Sequence, residues 1–539
     1  MIEREIIVTT TTSRSEVVTQ PVLIAGRWRQ ATAQGFFHAY NPKTGEPLPE
    51  AYPISAWQDC DEALTAAWRA AFELRSLEPN LRARFLEQYA ELIERHQAEL
   101  VAIAHQETAL DPEGRLAKAE LPRTVNQLKQ AAAAARNGSW ALPTLDTKNN
   151  IRSHYAPIGP VCVFGPNNFP FAFGSLSGGD FAAAIAAGNP VIGKAHSGHP
   201  GTTRLFGELA FQAAQQVGYP PEAIQLIYRL AHEDGLRLVA DPRVGATAYT
   251  GSRAAGLALK AAADRAGKPI YLELSSINPV VILPGALRER SLQIVDEFTA
   301  SCLMGTGQFC TNPGLVLLIR SAESDAFVEA VAKRFAERPV GYLLSRGVLE
   351  SLQRSVERLK EAGAEVITGG TPLEGPGYRF ANTLLRVEGA VFCRRPEALQ
   401  TEAFGNASLF VLAADFEELL KAVDSLEGNL TGSIYSDSSG SDDSLYSRLE
   451  PRLRRKVGRL LNDAMPTGVV VSPAMNHGGP YPATGHPGFT AVGIPASLRR
   501  FAVLECYDRV RPARLPPDLR DTAPHAEIWR FVDGEWKRG

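Results

Sequence analysis

The chain of 539 residues has little cysteine, methionine or tryptophan: six, four and six of them. The cysteines stand at 60, 162, 302, 310, 393 and 506, and none of them forms a C-x-x-C pair. That excludes a zinc knuckle and a dithiol redox centre of that spacing, and no metal site is expected. A disulfide framework is not expected either, because a chain this long can bury a full apolar core. A reducing cytoplasm fits this cysteine usage. Charge of one sign is also lacking: 56 basic residues against 59 acidic ones leave −3. Such a balance gives no electrostatic footprint for nucleic acid or an anionic membrane. No apolar run reaches the length that spans a bilayer. The opening "MIEREIIVTTTTSRSEVVTQ" mixes charges with threonines and has no apolar signal core, so it reads as a poorly ordered leader.

What is present is ordinary globular composition, 45% hydrophobic and 21% charged, with room for about three or four domain-sized cores. Residues 22–31 and 36–53 read as strands and turns. Helices follow: Leu81, Phe85, Leu86, Tyr89, Leu92 and Ile93 recur at helical spacing, and 97–108 and 115–137 continue the pattern. The stretch 137–160 returns to turn and strand residues. From 160 short apolar runs ("VCVFG", "VIGK", "IQLIY", "ATAYTG") alternate with helical segments such as 202–217. That alternation predicts βαβ crossovers and a parallel sheet, an α/β fold. A second α/β stretch runs from about 290 to 490. "FAVLECYDRV" then reads as a strand, and the closing "FVDGEWKRG" as either a last strand or a loose end.

Within "MGTGQFCTNPG", Cys310 follows Gly305, Gly307 and Gln308, a segment poor in helix or strand formers. Cys302 instead shares the helical spacing of Ile294, Val295 and Phe298 and reads as helix core. A buried cysteine that only fills space is the alternative for Cys310. Its glycines let another molecule approach the sulfur. "YLELSSINP" places Glu273 in an otherwise apolar strand, where a carboxylate is costly unless paired, neutral or used. "FGPNNFPFAFG" ends a strand in a turn whose asparagine amide could donate to a developing oxyanion, turn chemistry being its other role. "YTGSRAAG" sets Gly251 and Ser252 at a strand end before a helix, a place suited to a pyrophosphate, although the spacing is not G-x-G-x-x-G.

Taken together, with the asparagine loop, the lysine strand "VIGK", the "TGS" turn, the glutamate strand and "GQFC" following one another in that chain order, these segments resemble one family, the NAD(P)-dependent aldehyde dehydrogenases. The later "TEAFG" (401–405) matches that family's E-x-F-G element, and the resemblance covers about residues 20 to 510. "NNFPFAFGSLSGGD", "GKAHSGHPGTT", "ELSSINPV", "GQFCTNPG" and "HGGPYPAT" resemble the branch of the 2,5-dioxovalerate (α-ketoglutarate semialdehyde) dehydrogenases and an NADP-linked fatty-aldehyde dehydrogenase.

The resemblance implies Cys310 as nucleophile, Asn168 with the Cys310 backbone N–H as oxyanion site, and Glu273 as general base for thioester hydrolysis. It implies NADP or NAD contacts from Gly165, Lys194, Ser197, Arg229, Gly251, Ser252, Glu402 and Phe404. NAD-preferring relatives carry a glutamate three residues after the strand lysine. Here that position is Ser197, so NADP is expected to be used at least as readily as NAD. The implied architecture is a Rossmann-like cofactor-binding domain (21–139 and 157–280) and a catalytic domain (281–490). A small β oligomerisation arm (140–156 and 491–510) and a C-terminal tail (511–539) complete it. The arm implies a homodimer or homotetramer. A 2,5-dioxovalerate-type semialdehyde is the expected substrate. A fatty or medium-chain aldehyde is the alternative, and a catalytically silent structural or binding member is the reading from another class. "ELSSI" stands where many relatives read "ELGGK", and Arg229-Leu230 replaces a glycine-rich turn. Arg123 and the loop Met475-Asn476-His477 are the places to look for substrate recognition, with His477 read as a loop histidine.

Overall fold

The computed structural model describes residues 18–539, so most of the leader read from sequence lies outside the described residues. The α/β expectation is met. Strands Val161–Phe164, Val191–Lys194 and Ile224–Ile227 are apolar and almost wholly buried, as strands covered by helices on both faces must be. They join Ala246–Thr250 and Ile270–Glu273 in one parallel array. The spatial order is Ile270–Glu273, Ala246–Thr250, Val161–Phe164, Val191–Lys194, Ile224–Ile227, closed by the antiparallel pair Val22–Ile24 and Arg27–Arg29. Chain order therefore reverses beside Val161–Phe164. Crevices beyond the carboxyl ends of strands at such a reversal are where doubly wound sheets take ligands. Gly165–Asn168, Lys194–Ser197, Gly251–Ser252 and Glu273 all sit at those ends.

Helices Pro79–Arg95, Leu121–Asn137, Gly179–Ala186 and Pro200–Val217 cover this sheet. The helical spacing seen in sequence puts Phe85, Leu86, Tyr89, Leu92 and Ile93 on one buried face. Phe85 stacks on Tyr219 with ring centroids 4.7 Å apart. Burying each such side chain contributes about 1.5–3 kcal/mol.

A second sheet runs in the order Glu365–Thr368, Thr383–Glu388, Ala407–Ala413, Leu315–Ile319, Val280–Ile282, Asn429–Tyr435, Val457–Asn462. It is parallel except for the edge strand Glu365–Thr368. The Cys310 loop and the E-x-F-G segment both lead into central strands of this sheet, so they lie at its amino ends and face the carboxyl ends of the first.

A third sheet orders Ala502–Asp508, Ile151–Pro157, Thr144–Asp146, Trp529–Val532 and Glu535–Arg538. Its last two strands form a hairpin through Asp533 and Gly534, at φ 51° and 90°. Two central residues with positive φ are what a tight two-residue hairpin needs. The chain after 511 thus adds two strands to this third sheet, with Phe531 paired to Thr144. The altered turn after Ile227 is also a strand: Arg229–Leu230 pairs in parallel with Ile54–Ser55. Among the described residues no helix is long and apolar enough to cross a membrane.

Candidate active site

Cys310 is held by a loop whose shape its sequence explains. The helix Pro284–Leu303 ends, and Gly305, Thr306 and Gly307 take φ of 56°, 58° and 69°. A Cβ on Gly307 would lie 2.0 Å from the carbonyl oxygen of Gly405, so the cysteine loop and the E-x-F-G segment touch backbone to backbone. Gly307→Ala is expected to cost about 2–4 kcal/mol from overpacking and a strained φ, read as a lower urea midpoint with loss of activity. The buried amide of Gln308 accepts from the Leu344 N–H at 2.8 Å and donates to the carbonyls of Gly305 and Tyr342. On the other side Asn278 Nδ2 donates to the carbonyls of Cys310 and Asn312, both at 2.8 Å. Cys302 lies apart in the helix core, and burial pushes its thiol up to about 12.

His477 Nε2 lies 3.5 Å from Cys310 Sγ and 2.9 Å from Glu273 Oε1. Both Glu273 and His477 are 1% exposed. Glu273 Oε2 is buried and has no hydrogen-bond partner among the described residues. The segment that brings His477 here, "HGGPYPAT", folds back on the end of the glutamate strand. The Leu274 N–H donates to the Ala483 carbonyl at 2.8 Å, and the His477 N–H donates to Thr490 Oγ1 at 3.0 Å. Burial and the charge of Glu273 push the Cys310 thiol well above its usual range, while Arg123 pulls it partly back. The same three donor atoms lie within 4.8 Å of one another and could together grip a thiophilic metal ion, which would block the sulfur.

The asparagine loop reaches this cluster from the first sheet. Asn168 is buried, and its Nδ2 donates to the Gln308 carbonyl at 3.0 Å. One amide hydrogen is left over, and the Cys310 backbone N–H makes no hydrogen bond among the described residues. The loop is clamped from helix residues that sequence reasoning passed over. Glu120 accepts from the N–H groups of Phe171 and Ala172, and Arg115 pairs with Glu120 at 2.8 Å and donates to the Asn168 carbonyl at 3.0 Å. His199 Nε2 lies 2.9 Å from the Pro166 carbonyl.

The remaining sequence candidates stand at or just beyond the carboxyl ends of the first sheet's strands, or in the E-x-F-G segment. At Gly165 a Cβ would meet the Phe173 carbonyl oxygen at 2.7 Å, so the glycine is required by packing of its own loop. Burial, with Arg229 nearby, lowers Lys194 to about 8. Arg229 is exposed, 5.7 Å from the Phe37 ring. The Gly251 N–H donates to the Glu273 carbonyl at 3.1 Å, and Ser252 starts the helix Arg253–Arg265 without a side-chain cap, leaving its first N–H groups open. Glu402 accepts weakly from the Ser276 N–H at 3.4 Å, and burial raises its carboxyl to about 7. Phe404 shares that small crevice with Ser276 and Gly307. These residues fit a dinucleotide: open helix N–H groups for a pyrophosphate, a carboxyl for ribose hydroxyls and cations for a further phosphate. A cavity of about 1050 Å³ opens beside Phe169 and Phe309, the chain neighbours of Asn168 and Cys310.

His477 is the residue that sequence reasoning undervalued. Nothing in a histidine followed by two glycines points to partners 167 and 204 positions away. The signal available was indirect: a carboxylate on an apolar strand requires a partner, and a buried histidine is one of the few.

The model of the aldehyde dehydrogenase family matches residues 28–451. The alpha-ketoglutaric semialdehyde dehydrogenase 2 of Azospirillum brasilense is 38% identical over 95% of this chain and 98% of its own. The alpha-ketoglutaric semialdehyde dehydrogenase of Acinetobacter baylyi is 35% identical over 91% and 93%. Among solved structures, PnpE in complex with nicotinamide adenine dinucleotide superimposes with a TM-score of 0.78 at 21% identity, covering 92% of this chain and 99% of that one. The chain belongs to the aldehyde dehydrogenase family.

Proposed function

We propose that this NAD(P)-dependent aldehyde dehydrogenase oxidises α-ketoglutaric semialdehyde to the dicarboxylate, with Cys310 as nucleophile. The observation that carries the chemistry is His477 Nε2 placed between Cys310 Sγ and Glu273 Oε1. The names of the relatives carry the substrate. A thiol pushed up by burial is not a standing thiolate, so it needs a base at the moment of attack. His477 takes the thiol proton on Nε2 and, as an imidazolium, hands it to Glu273 Oε1. The thiolate adds to the aldehyde carbon, and the oxyanion is held by Asn168 Nδ2 and the Cys310 N–H. A nicotinamide dinucleotide bound in the crevice supplies the hydride acceptor. Loss of hydride leaves a thioester on Cys310. Once that proton has passed to bulk water, Glu273 draws another from the attacking water through Oε2, and the hydroxide formed cleaves the thioester to carboxylate and thiol.

Gly165, Gly251, Ser252, Glu402 and Phe404 would shape the cofactor crevice, with Lys194, Ser197 and Arg229 at its adenosine end. With serine at 197 and two cations nearby, NADP is used at least as readily as NAD. Installing a carboxylate by Ser197→Glu should weaken NADP selectively by about 1–3 kcal/mol, read as a change in the NADP/NAD ratio of kcat/KM. A wild type that strongly prefers NAD would count against this pocket.

The exposed edge strand Ala502–Asp508 presents Val503 and Leu504, the latter 60% exposed. An unpaired apolar edge is a liability that a second copy of the chain removes, which supports assembly as a homodimer or homotetramer. A second substrate reading is favoured by the apolar part of the cavity, where Leu303, Val469, Val470 and Val471 could receive an alkyl chain. Initial rates on α-ketoglutaric semialdehyde, pentanal and long-chain aldehydes, each with NAD and NADP, separate the two. Preference for the long-chain aldehydes would overturn the semialdehyde reading.

A further inference from the structure

The cavity beside Phe169 and Phe309 is lined by several charged groups, and most are already engaged. Arg115 is taken up by Glu120 and the Asn168 carbonyl. Lys43 Nζ lies 2.9 Å from His105 Nε2. The Asp111 carboxylate accepts from the N–H groups of Gly114 and Arg115. Arg123 is different. Its Nε donates to Gln127 Oε1 at 3.2 Å, and among the described residues its terminal nitrogens have no hydrogen-bond partner, with Nη2 buried. Its guanidinium packs against aromatic rings, 5.6 Å from that of Phe169 and 5.0 Å from that of Phe173.

A buried guanidinium edge without acceptors is costly, and no structural need on this helix calls for it. The rings hold the planar group in place while its two terminal nitrogens remain open. That fork matches the paired oxygens of a carboxylate or a phosphate, and an aldehyde substrate can bring the former. The Phe173 ring beneath Arg123 has its centroid 5.8 Å from that of the His477 ring, and His477 Nε2 is 3.5 Å from Cys310 Sγ, so the guanidinium stands one side chain away from the reacting cluster.

We propose that Arg123 binds the carboxylate at the far end of the substrate, so that the site selects short aldehydes carrying a terminal carboxylate. This rests on the semialdehyde reading above and names the residue that enforces it. An aldehyde bound with its carbonyl at Cys310 and the oxyanion site would present its other end to the guanidinium. The pairing would satisfy the nitrogens that the protein leaves open. A neutral aldehyde of equal length would leave them unpaired, and that unmet need is the source of discrimination.

The test compares wild type, Arg123→Met and Arg123→Lys on α-ketoglutaric semialdehyde and on pentanal, which has the same carbon count and no carboxylate. The ratio of kcat/KM for the semialdehyde to that for pentanal should fall roughly 10- to 100-fold in Arg123→Met, mainly through KM, with Arg123→Lys intermediate. As a readout independent of turnover, α-ketoglutarate should slow alkylation of Cys310 in wild type and lose that protection in Arg123→Met. Equal loss on both substrates, with protection kept, overturns the clamp and leaves the substrate reading standing. A wild type that prefers pentanal to the semialdehyde overturns the substrate reading and the clamp with it. If Arg123→Met does not fold, the same ratio in Arg123→Lys decides: no change overturns the clamp.

Discussion

Cys310→Ala is expected to lose at least about 10⁴-fold in turnover on every aldehyde, while Cys302→Ala keeps most of its activity. The two thiols are eight positions apart and differ in everything that matters. Cys310 Sγ faces His477 at the meeting of the two large sheets. Cys302 Sγ faces the Ala407 carbonyl and the Asn312 amide in a closed core. Removing the Cys302 sulfur leaves a small void, a stability cost of about 1 kcal/mol, and no missing reactant. Steady-state rates on folded samples of both variants measure the contrast. Comparable loss in both would show that the sulfur at 310 is not the attacking atom.

His477→Gln is expected to lower kcat about 10²- to 10⁴-fold with little change in KM. The motive is that burial and Glu273 disfavour a free thiolate, so the proton must leave Sγ as the carbon–sulfur bond forms. His477 carries that proton to Glu273, so Glu273→Gln is expected to slow the first burst of NAD(P)H as well as the steady state. A glutamate acting on water alone would leave the burst fast and stall only afterwards. Stopped-flow measurement of burst rate and amplitude in both variants separates the two. A full, fast burst in His477→Gln would take the histidine out of the acylation step. Slower alkylation of Cys310 by iodoacetamide in the same variant would tie the loss to the thiol rather than to cofactor binding.

The elements most legible in sequence were those whose signals are local. Short buried strands such as "VCVF" and "VIGK" announce a parallel sheet because helices on both faces demand apolar residues at every position. The face of Pro79–Arg95 follows from helical spacing, and the separation of Cys310 from Cys302 follows from where that spacing stops. Glycines 305 and 307 could be read as marking a close approach, but that Gly307 meets Gly405 is a fact of the second sheet's strand order.

What the sequence by itself determined was the set of candidate reacting residues on short motifs: Cys310, Glu273 and Asn168, each with its immediate neighbours. Only the tertiary structure decided which groups surround them. His477 enters because a loop near the end of the second large sheet's chain folds back on the strand that ends in Glu273. Arg115 and Glu120 enter because a helical stretch packs across the asparagine loop. The hairpin at 529–538 joins the third sheet because its first strand pairs with Thr144–Asp146. Arg123 gains meaning only through the partners it lacks. In each case the physical reason is the same: hydrogen bonding and ion pairing act over a few ångströms in space, and residues hundreds of positions apart reach that range only after the cores on either side of them have packed.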